Sequence, residues 1–283
     1  MVNLMSSAPE WVESQIAFVN EEWREQSDLP RIYNRESRHA NTTRHDVIIH
    51  NARLNEDEYD LDSCGYALIN HRTEVTDFHD KEVIADQYFP EMKKVILDLT
   101  GAHAAFSFPF YQVRSKNPAN FFDAYSLYMH CDFSPDTWLQ FAQHIVKESG
   151  TSEEYPEESW DFALYNFWRP IGNPVEKDPL VLIDARTVDR KDIINYRLIE
   201  EGDKAQAAVP LFNKNQRYCY FPQMNPDEVI VFKQLDSRIE KSLVCPHTSF
   251  IDPTAAPDAA ERHSIDIRFM CVFPKGNSVM RFL

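Results

Sequence analysis

Glycine is scarce in this chain, with six residues in 283. No Gly/Ser-rich linker and no internal repeat interrupts it, so a string of tethered modules and a solenoid are both excluded. Cysteine is sparse and unpatterned. Cys64, Cys131, Cys219, Cys245 and Cys271 make an odd set without a Cys-x-x-Cys pair. A disulfide framework and a thiolate zinc site are therefore not expected, and a reducing cytoplasm is the expected location. Long apolar runs are missing. Stretches such as Val95-Ile96-Leu97 are far too short to span a bilayer, so no membrane partner is expected. No basic segment followed by an apolar one opens the chain, so no secretory signal is expected. Positive charge is also in deficit: 29 Lys and Arg against 45 Asp and Glu give a net charge of −16. Such a chain repels phosphate backbones, which argues against nucleic acid. A small-molecule substrate remains the expected partner, with monomer or homo-oligomer left open.

What is present suffices for one large core, since 43% of the residues are hydrophobic and 13% aromatic. Residues 10–40 mix aromatics and charges without clean periodicity and read as an arm or short helix. Residues 46–50 and 65–69 read as strands. Residues 80–100 read as a helix stopped by Gly101, with Val83, Ile84, Tyr88, Met92, Val95 and Ile96 at helical spacing. Strand-like segments follow at 104–114 and 122–131, then a helix over 134–147 and an acidic loop over 148–158. Residues 162–168, 180–183, 229–233 and 265–272 are the clearest later strands, with a loop at 251–261 before the last. Helices early and strands late predict a mainly β fold with flanking helices (α+β), a sandwich or barrel.

The chemistry-bearing residues are few and scattered. His130 and Asp132 stand two apart, and residues two apart on an extended strand share a face. His247 lies far along the chain. Two imidazoles and one carboxylate can occupy one face of an octahedral metal and leave three positions open. Two of those suit a chelating keto acid and the third dioxygen. Shortly after the second histidine come Arg262 and Ser264, again on one face. A guanidinium grips a carboxylate through two parallel hydrogen bonds, and a hydroxyl adds a third. Arg268 falls on the same face by alternation and is the second candidate for that role. Asp266 is its expected internal partner, while Ile265, Ile267 and Phe269 face outward against helices. His-x-Asp alone arises by chance, so its surroundings matter. A zinc hydrolase would use the same His130, Asp132 and His247 but leave Arg262 and Ser264 without a purpose. A non-catalytic binding protein is the third reading.

At these residues the chain resembles the hydroxylase/desaturase family that includes fungal gibberellin desaturase, AsaB and CmcJ. The resemblance runs through Gly65-Tyr66-Ala67-Leu68, Tyr88-Phe89-Pro90-Glu91 and Thr100-Gly101-Ala102. It continues in His130-Cys131-Asp132-Phe133-Ser134, Asn166-Phe167-Trp168-Arg169-Pro170-Ile171, Pro179-Leu180, Asp184-Ala185-Arg186 and the stretch from Pro226 to Lys233 with Asp236-Ser237. It ends in Pro246-His247-Thr248-Ser249-Phe250 and the stretch from Arg262 to Arg268. The family implies a double-stranded β-helix (jelly roll) and a non-haem dioxygenase using Fe(II), 2-oxoglutarate and O2. It oxidises an unactivated C–H bond by hydroxylation, desaturation or cyclisation, with succinate and CO2 as co-products, in secondary metabolism. Residue by residue, His130, Asp132 and His247 match the metal motif, and Arg262 and Ser264 match the co-substrate motif. His263 stands where an acidic residue is expected, and Phe133 where a polar one is. Tyr128, Asn166, Trp168 and Arg169 are candidate substrate-binding residues. The whole of 1–283 is expected to be one domain, with 1–45 as an N-terminal arm and about 148–222 holding insertions that cover the site.

Overall fold

The computed structural model describes residues 8–116, 124–151, 153–198 and 206–275. Its strands are β1 (Trp11–Val19), β2 (Thr42–Asn51), β3 (Tyr66–Asn70), β4 (Ala104–Ser107), β5 (Gln112–Arg114), β6 (Trp160–Pro170), β7 (Leu180–Ile183), β8 (Ile193–Arg197), β9 (Gln206–Pro210), β10 (Tyr218–Tyr220), β11 (Glu228–Asp236), β12 (His247–Ser249) and β13 (Ser264–Pro274). One sheet has the order β1-β2-β10-β7-β12. The other runs β3-β11-β6-β13-β4, with β5 also on β13, and β8 and β9 form a separate hairpin. This is the mainly β jelly roll with flanking helices that the sequence led us to expect.

Alternation along β13 and β6 organises the larger sheet. Ile265, Ile267, Phe269, Cys271 and Phe273 share one face, as period-2 geometry requires. They pack with Tyr165 and Phe167 of β6 against Tyr88, Met92 and Ile96. Those three belong to a long helical segment: α2 (Lys81–Val83), a π turn at Ile84–Tyr88 and α3 (Phe89–Thr100). Asp80 caps its start by accepting from the Glu82 and Val83 amides. Gly101 ends it in the left-handed conformation at φ 65°. The opposite face of β13, carrying Ser264, Asp266 and Arg268, turns into the space between the sheets.

Two expectations are corrected. Residues 11–19 are an edge strand of the smaller sheet, paired along its length with β2, and the helical pieces of the expected arm are a 3-10 turn at Glu21–Glu25 and α1 (Arg35–Asn41). The strand expected over 122–131 does not form within 124–131, and residues 122 and 123 lie outside the described residues. Ala124, His130 and Cys131 instead make isolated bridges to Ser115, His247 and Ala208. The next helix, α4 (Trp138–Glu148), starts later than expected. Within the stretch expected to cover the site, β8 and β9 reach it through the Cys131–Ala208 bridge; residues 199–205 lie outside the described residues. Among the described residues no helix is long and apolar enough to cross a membrane.

Candidate active site

The isolated bridge between His130 and His247 brings together two histidines far apart in sequence. Each backbone amide donates to the other's carbonyl, at 3.2 and 3.0 Å. Their rings lie 4.5 Å apart between centroids. His130 Nδ1 lies 3.0 Å from the Tyr128 carbonyl, and His247 Nδ1 lies 3.3 Å from the Cys245 carbonyl. A carbonyl only accepts, so each Nδ1 carries the proton and each Nε2 keeps its lone pair. Both lone pairs turn to one carboxylate oxygen: Asp132 Oδ1 is 3.5 Å from His130 Nε2 and 3.8 Å from His247 Nε2. The three donor atoms lie within 4.8 Å of one another, the reach of a single metal ion.

The other carboxylate oxygen is already engaged. Asp132 Oδ2 accepts from Arg268 Nε at 2.9 Å, from Arg268 Nη2 at 2.8 Å and from Gln234 Nε2 at 3.1 Å. Burial acts to raise the Asp132 pKa, but the Arg268 guanidinium outweighs it and holds the carboxyl well below its usual range. Burial, with His130 beside it, pushes the His247 imidazole down to about 3, so it is neutral at physiological pH as a ligand must be. Asp266, the expected partner of Arg268, instead ion-pairs with Arg114 of β5. Gln234 was not anticipated. It sits at a β-bulge in β11, where the register on β6 shifts between Lys233 and Leu235. The bulge turns the amide out of simple alternation and onto Asp132.

A small cavity of about 20 Å³ lies beside the histidines, bounded by Asn166, Trp168, Leu180 and Arg262. Arg262 is 3% exposed and makes no ion pair among the described residues. Its Nη1 donates to Ser249 Oγ at 2.9 Å and to the Asp178 carbonyl. Its guanidinium lies 3.8 Å over the Tyr125 ring. Burial lowers its pKa to about 10, which leaves it cationic at neutral pH. Arg262 Nε, Ser264 Oγ and both side-chain polar atoms of Asn166 are buried with no hydrogen-bond partner among the described residues. Orphaned groups of this kind are costly in a native core, and the donors among them, Arg262 Nε, Ser264 Oγ and Asn166 Nδ2, outline polar contacts that a carboxylate would satisfy.

A second cavity, of about 720 Å³, opens on the other side of His130 and Asp132. Its wall includes the aromatic residues Tyr128, Phe133, Trp138, Phe141 and Tyr196 among polar and charged ones. Phe133, where a polar residue was expected, stacks on Phe141 with centroids 5.4 Å apart. Tyr128 shares a 2.9 Å hydrogen bond with Tyr196. Trp168 and Asn166 border the inner cavity. Arg169 does not join them: it lies on the outward face of β6, donating to Tyr88 Oη and the Pro226 carbonyl at 2.9 Å each and meeting His71 at 2.5 Å.

The profile of the family described as "Oxidoreductase/YMDC permease-like domain" matches residues 17–272. The chain belongs to this family. It is similar to the Fe(II)/2-oxoglutarate-dependent dioxygenase nvfI of Aspergillus novofumigatus, with 25% identity over 270 residues, 91% of this chain and 95% of that one. The alpha-ketoglutarate-dependent dioxygenase phiK from a fungal species is 29% identical over 231 residues, 76% and 80% of the two chains. The hydroxylase/desaturase efuI of Hormonema carpetanum is 26% identical over 250 residues, 78% and 81%. A solved structure of the iron and alpha-ketoglutarate-dependent endoperoxidase NvfI superposes with a TM-score of 0.83 at 24% identity, covering 95% of this chain and 99% of that chain. The resemblance read from the sequence is borne out, and with it the jelly roll and the class of enzyme, an oxidoreductase among the iron- and 2-oxoglutarate-dependent dioxygenases.

Proposed function

We propose that the chain uses Fe(II), 2-oxoglutarate and O2 to oxidise an unactivated C–H bond of a small molecule, by hydroxylation, desaturation or ring closure. The arrangement of donors carries this reading. Two Nε2 lone pairs and one carboxylate oxygen converge at a point, and Arg262, buried and without an ion pair among the described residues, borders the same small cavity as the two histidines. In this reading His130, Asp132 and His247 hold the iron. Arg262, Ser264 and Asn166 hold the distal carboxylate of the keto acid. Arg268, second choice from the sequence, becomes the group that fixes Asp132, because its Nε and Nη2 are committed to Oδ2. Iron with the bound keto acid supplies oxidative decarboxylation, giving succinate, CO2 and the oxidant for the C–H bond. The protein's own contribution is orientation and exclusion of water. Tyr128, Phe133, Phe141 and Tyr196 form the dry wall against which a substrate rests.

The whole chain acts in this account as one domain, with the β8–β9 hairpin covering the site. All five cysteines are buried and free, in keeping with a reducing cytoplasm. The test is turnover of 2-oxoglutarate to succinate with Fe(II) and a panel of candidate small molecules. Stimulated succinate release that is lost on removing Fe(II) supports the reading. Hydrolysis with zinc and no succinate would replace it with the hydrolase, and failure to bind either metal or keto acid with a binding protein.

A further inference from the structure

The outer cavity carries four charged side chains in its wall: Arg38, Arg114, Asp132 and Arg268. Three are paired, Arg268 with Asp132 and Arg114 with Asp266. Arg38 is half-buried on the short helix α1 and has no ion pair or side-chain hydrogen bond among the described residues. It borders the outer cavity and also the adjoining cleft of about 850 Å³, where Arg35 and Arg44 lie. Neither of those arginines has an ion pair among the described residues. Burial lowers the Arg38 pKa and Arg35 and Arg44 lower it further, while the nearby Tyr128 acts the other way. In a chain of net charge −16, an arginine in this wall without an ion pair among the described residues, with Arg35 and Arg44 in the adjoining cleft, is conspicuous. The position is also suited to a substrate. Tyr128 faces Arg38 on one side, and on the other its ring lies 5.4 Å from that of His130.

We propose that the substrate is an apolar small molecule bearing a carboxylate, and that Arg38 is the specificity-determining residue that receives it. The acid docks on the Arg38 guanidinium at the cavity mouth. The hydrocarbon body lies along Phe133, Phe141 and Tyr196, and the far end reaches the metal face. A guanidinium pairs with a carboxylate through two parallel bonds, so it fixes direction as well as position. Arg35 and Arg44 add long-range attraction that a neutral molecule would not feel. This assignment rests on the function proposed above, since it takes the outer cavity as the substrate site.

Calorimetric titration of the full chain, anaerobic and saturated with Fe(II) and 2-oxoglutarate, tests it. The probes are three acids, decanoate, biphenyl-4-carboxylate and a tricyclic diterpene acid, and the primary amide of each. At least one acid is expected to bind at least tenfold more tightly than its amide. Arg38→Gln should erase that preference, Arg38→Lys should retain part of it, and Asp46→Asn, on the outer face of β2, should leave it unchanged. Equal binding of every acid and its amide, no saturable binding of any acid, or a preference that survives in Arg38→Gln would each overturn the proposal. The Fe(II)–2-oxoglutarate absorption band of each protein is recorded alongside. Its loss in the wild-type chain would count against the proposed function, whereas its persistence in Arg38→Gln confines any failure to the substrate assignment.

Discussion

Asp132 divides its work between two oxygens. Oδ1 faces the histidine Nε2 atoms, and Oδ2 is held by Arg268 and Gln234. Groups that orient a metal ligand in this way typically change metal affinity by roughly 10–100-fold when removed. Arg268→Gln should therefore weaken Fe(II) binding by about that factor with the fold intact, as measured by metal titration with circular dichroism alongside. Arg262 is the corresponding residue at the inner end. Arg262→Gln replaces a charged donor with a neutral one, which costs about 1.5–3 kcal/mol. The expected result is a 2-oxoglutarate affinity lower by roughly 10–100-fold with metal binding unchanged; equal affinity would leave that carboxylate without its partner. At this scale alternation was informative for Asn166 with Trp168 on β6, whereas His130 and Asp132 lie on an irregular segment, set by the His130–His247 bridge and by the hold of Arg268 and Gln234 on Asp132. The same alternation sends Arg169 outward, and it pairs with Tyr88 and His71 instead. Gln234 was not legible, because a bulge obeys no simple period.

Among the elements, β13 reads most directly from sequence. One face is apolar and packs on α3, and the other carries the polar residues of the site. Ile267 is fully buried on the apolar face, so Ile267→Ala should cost about 2–5 kcal/mol in urea unfolding, with no change in the metal ligands. β1 was harder to see. Its first half, with Glu13, Ser14 and Gln15, is half-exposed and polar, while its second half is buried, so no single pattern runs through it. The segment 124–131 was misread as a strand for a related reason. Its residues have strand-like side chains, but three of them bridge to three different partners, and no continuous ladder forms. Gly65 shows how one element fixes another. At φ 89° it occupies backbone that side-chain-bearing residues avoid, and an added Cβ would lie 3.2 Å from Cys245 Cβ, two residues before His247. Gly65→Ala should lower both stability and Fe(II) affinity, read in the same urea and metal titrations.

For the molecule as a whole, the sheets, the flanking helices and the class of chemistry were legible because composition, alternation and the scattered motifs agreed. The bridge from Cys131 to Ala208 of the β8–β9 hairpin was not, since it joins segments far apart in sequence. Ionisation is also a property of the whole chain. Burial lowers the pKa of His45, His50 and His71 from the ordinary 6.5, and that of His247 to about 3. In the window below 6.5 the unfolded chain binds more protons than the folded one, so stability is present above that pH and is lost as pH falls through it. Urea midpoints of the metal-free chain should drop between about pH 7.5 and about pH 5.5; a flat or rising series would contradict the buried, neutral histidines.

The central claim is that His130, Asp132 and His247 form one metal face beside a keto-acid cavity ending at Arg262. Anaerobic titration of the purified chain with Fe(II) and 2-oxoglutarate, followed by visible absorption, tests it most directly. The account predicts a charge-transfer band that needs both components, disappears in Asp132→Ala and His247→Ala, and requires more 2-oxoglutarate in Arg262→Gln. A wild-type chain that gives no band, or an Asp132→Ala chain that gives the full band, would contradict it.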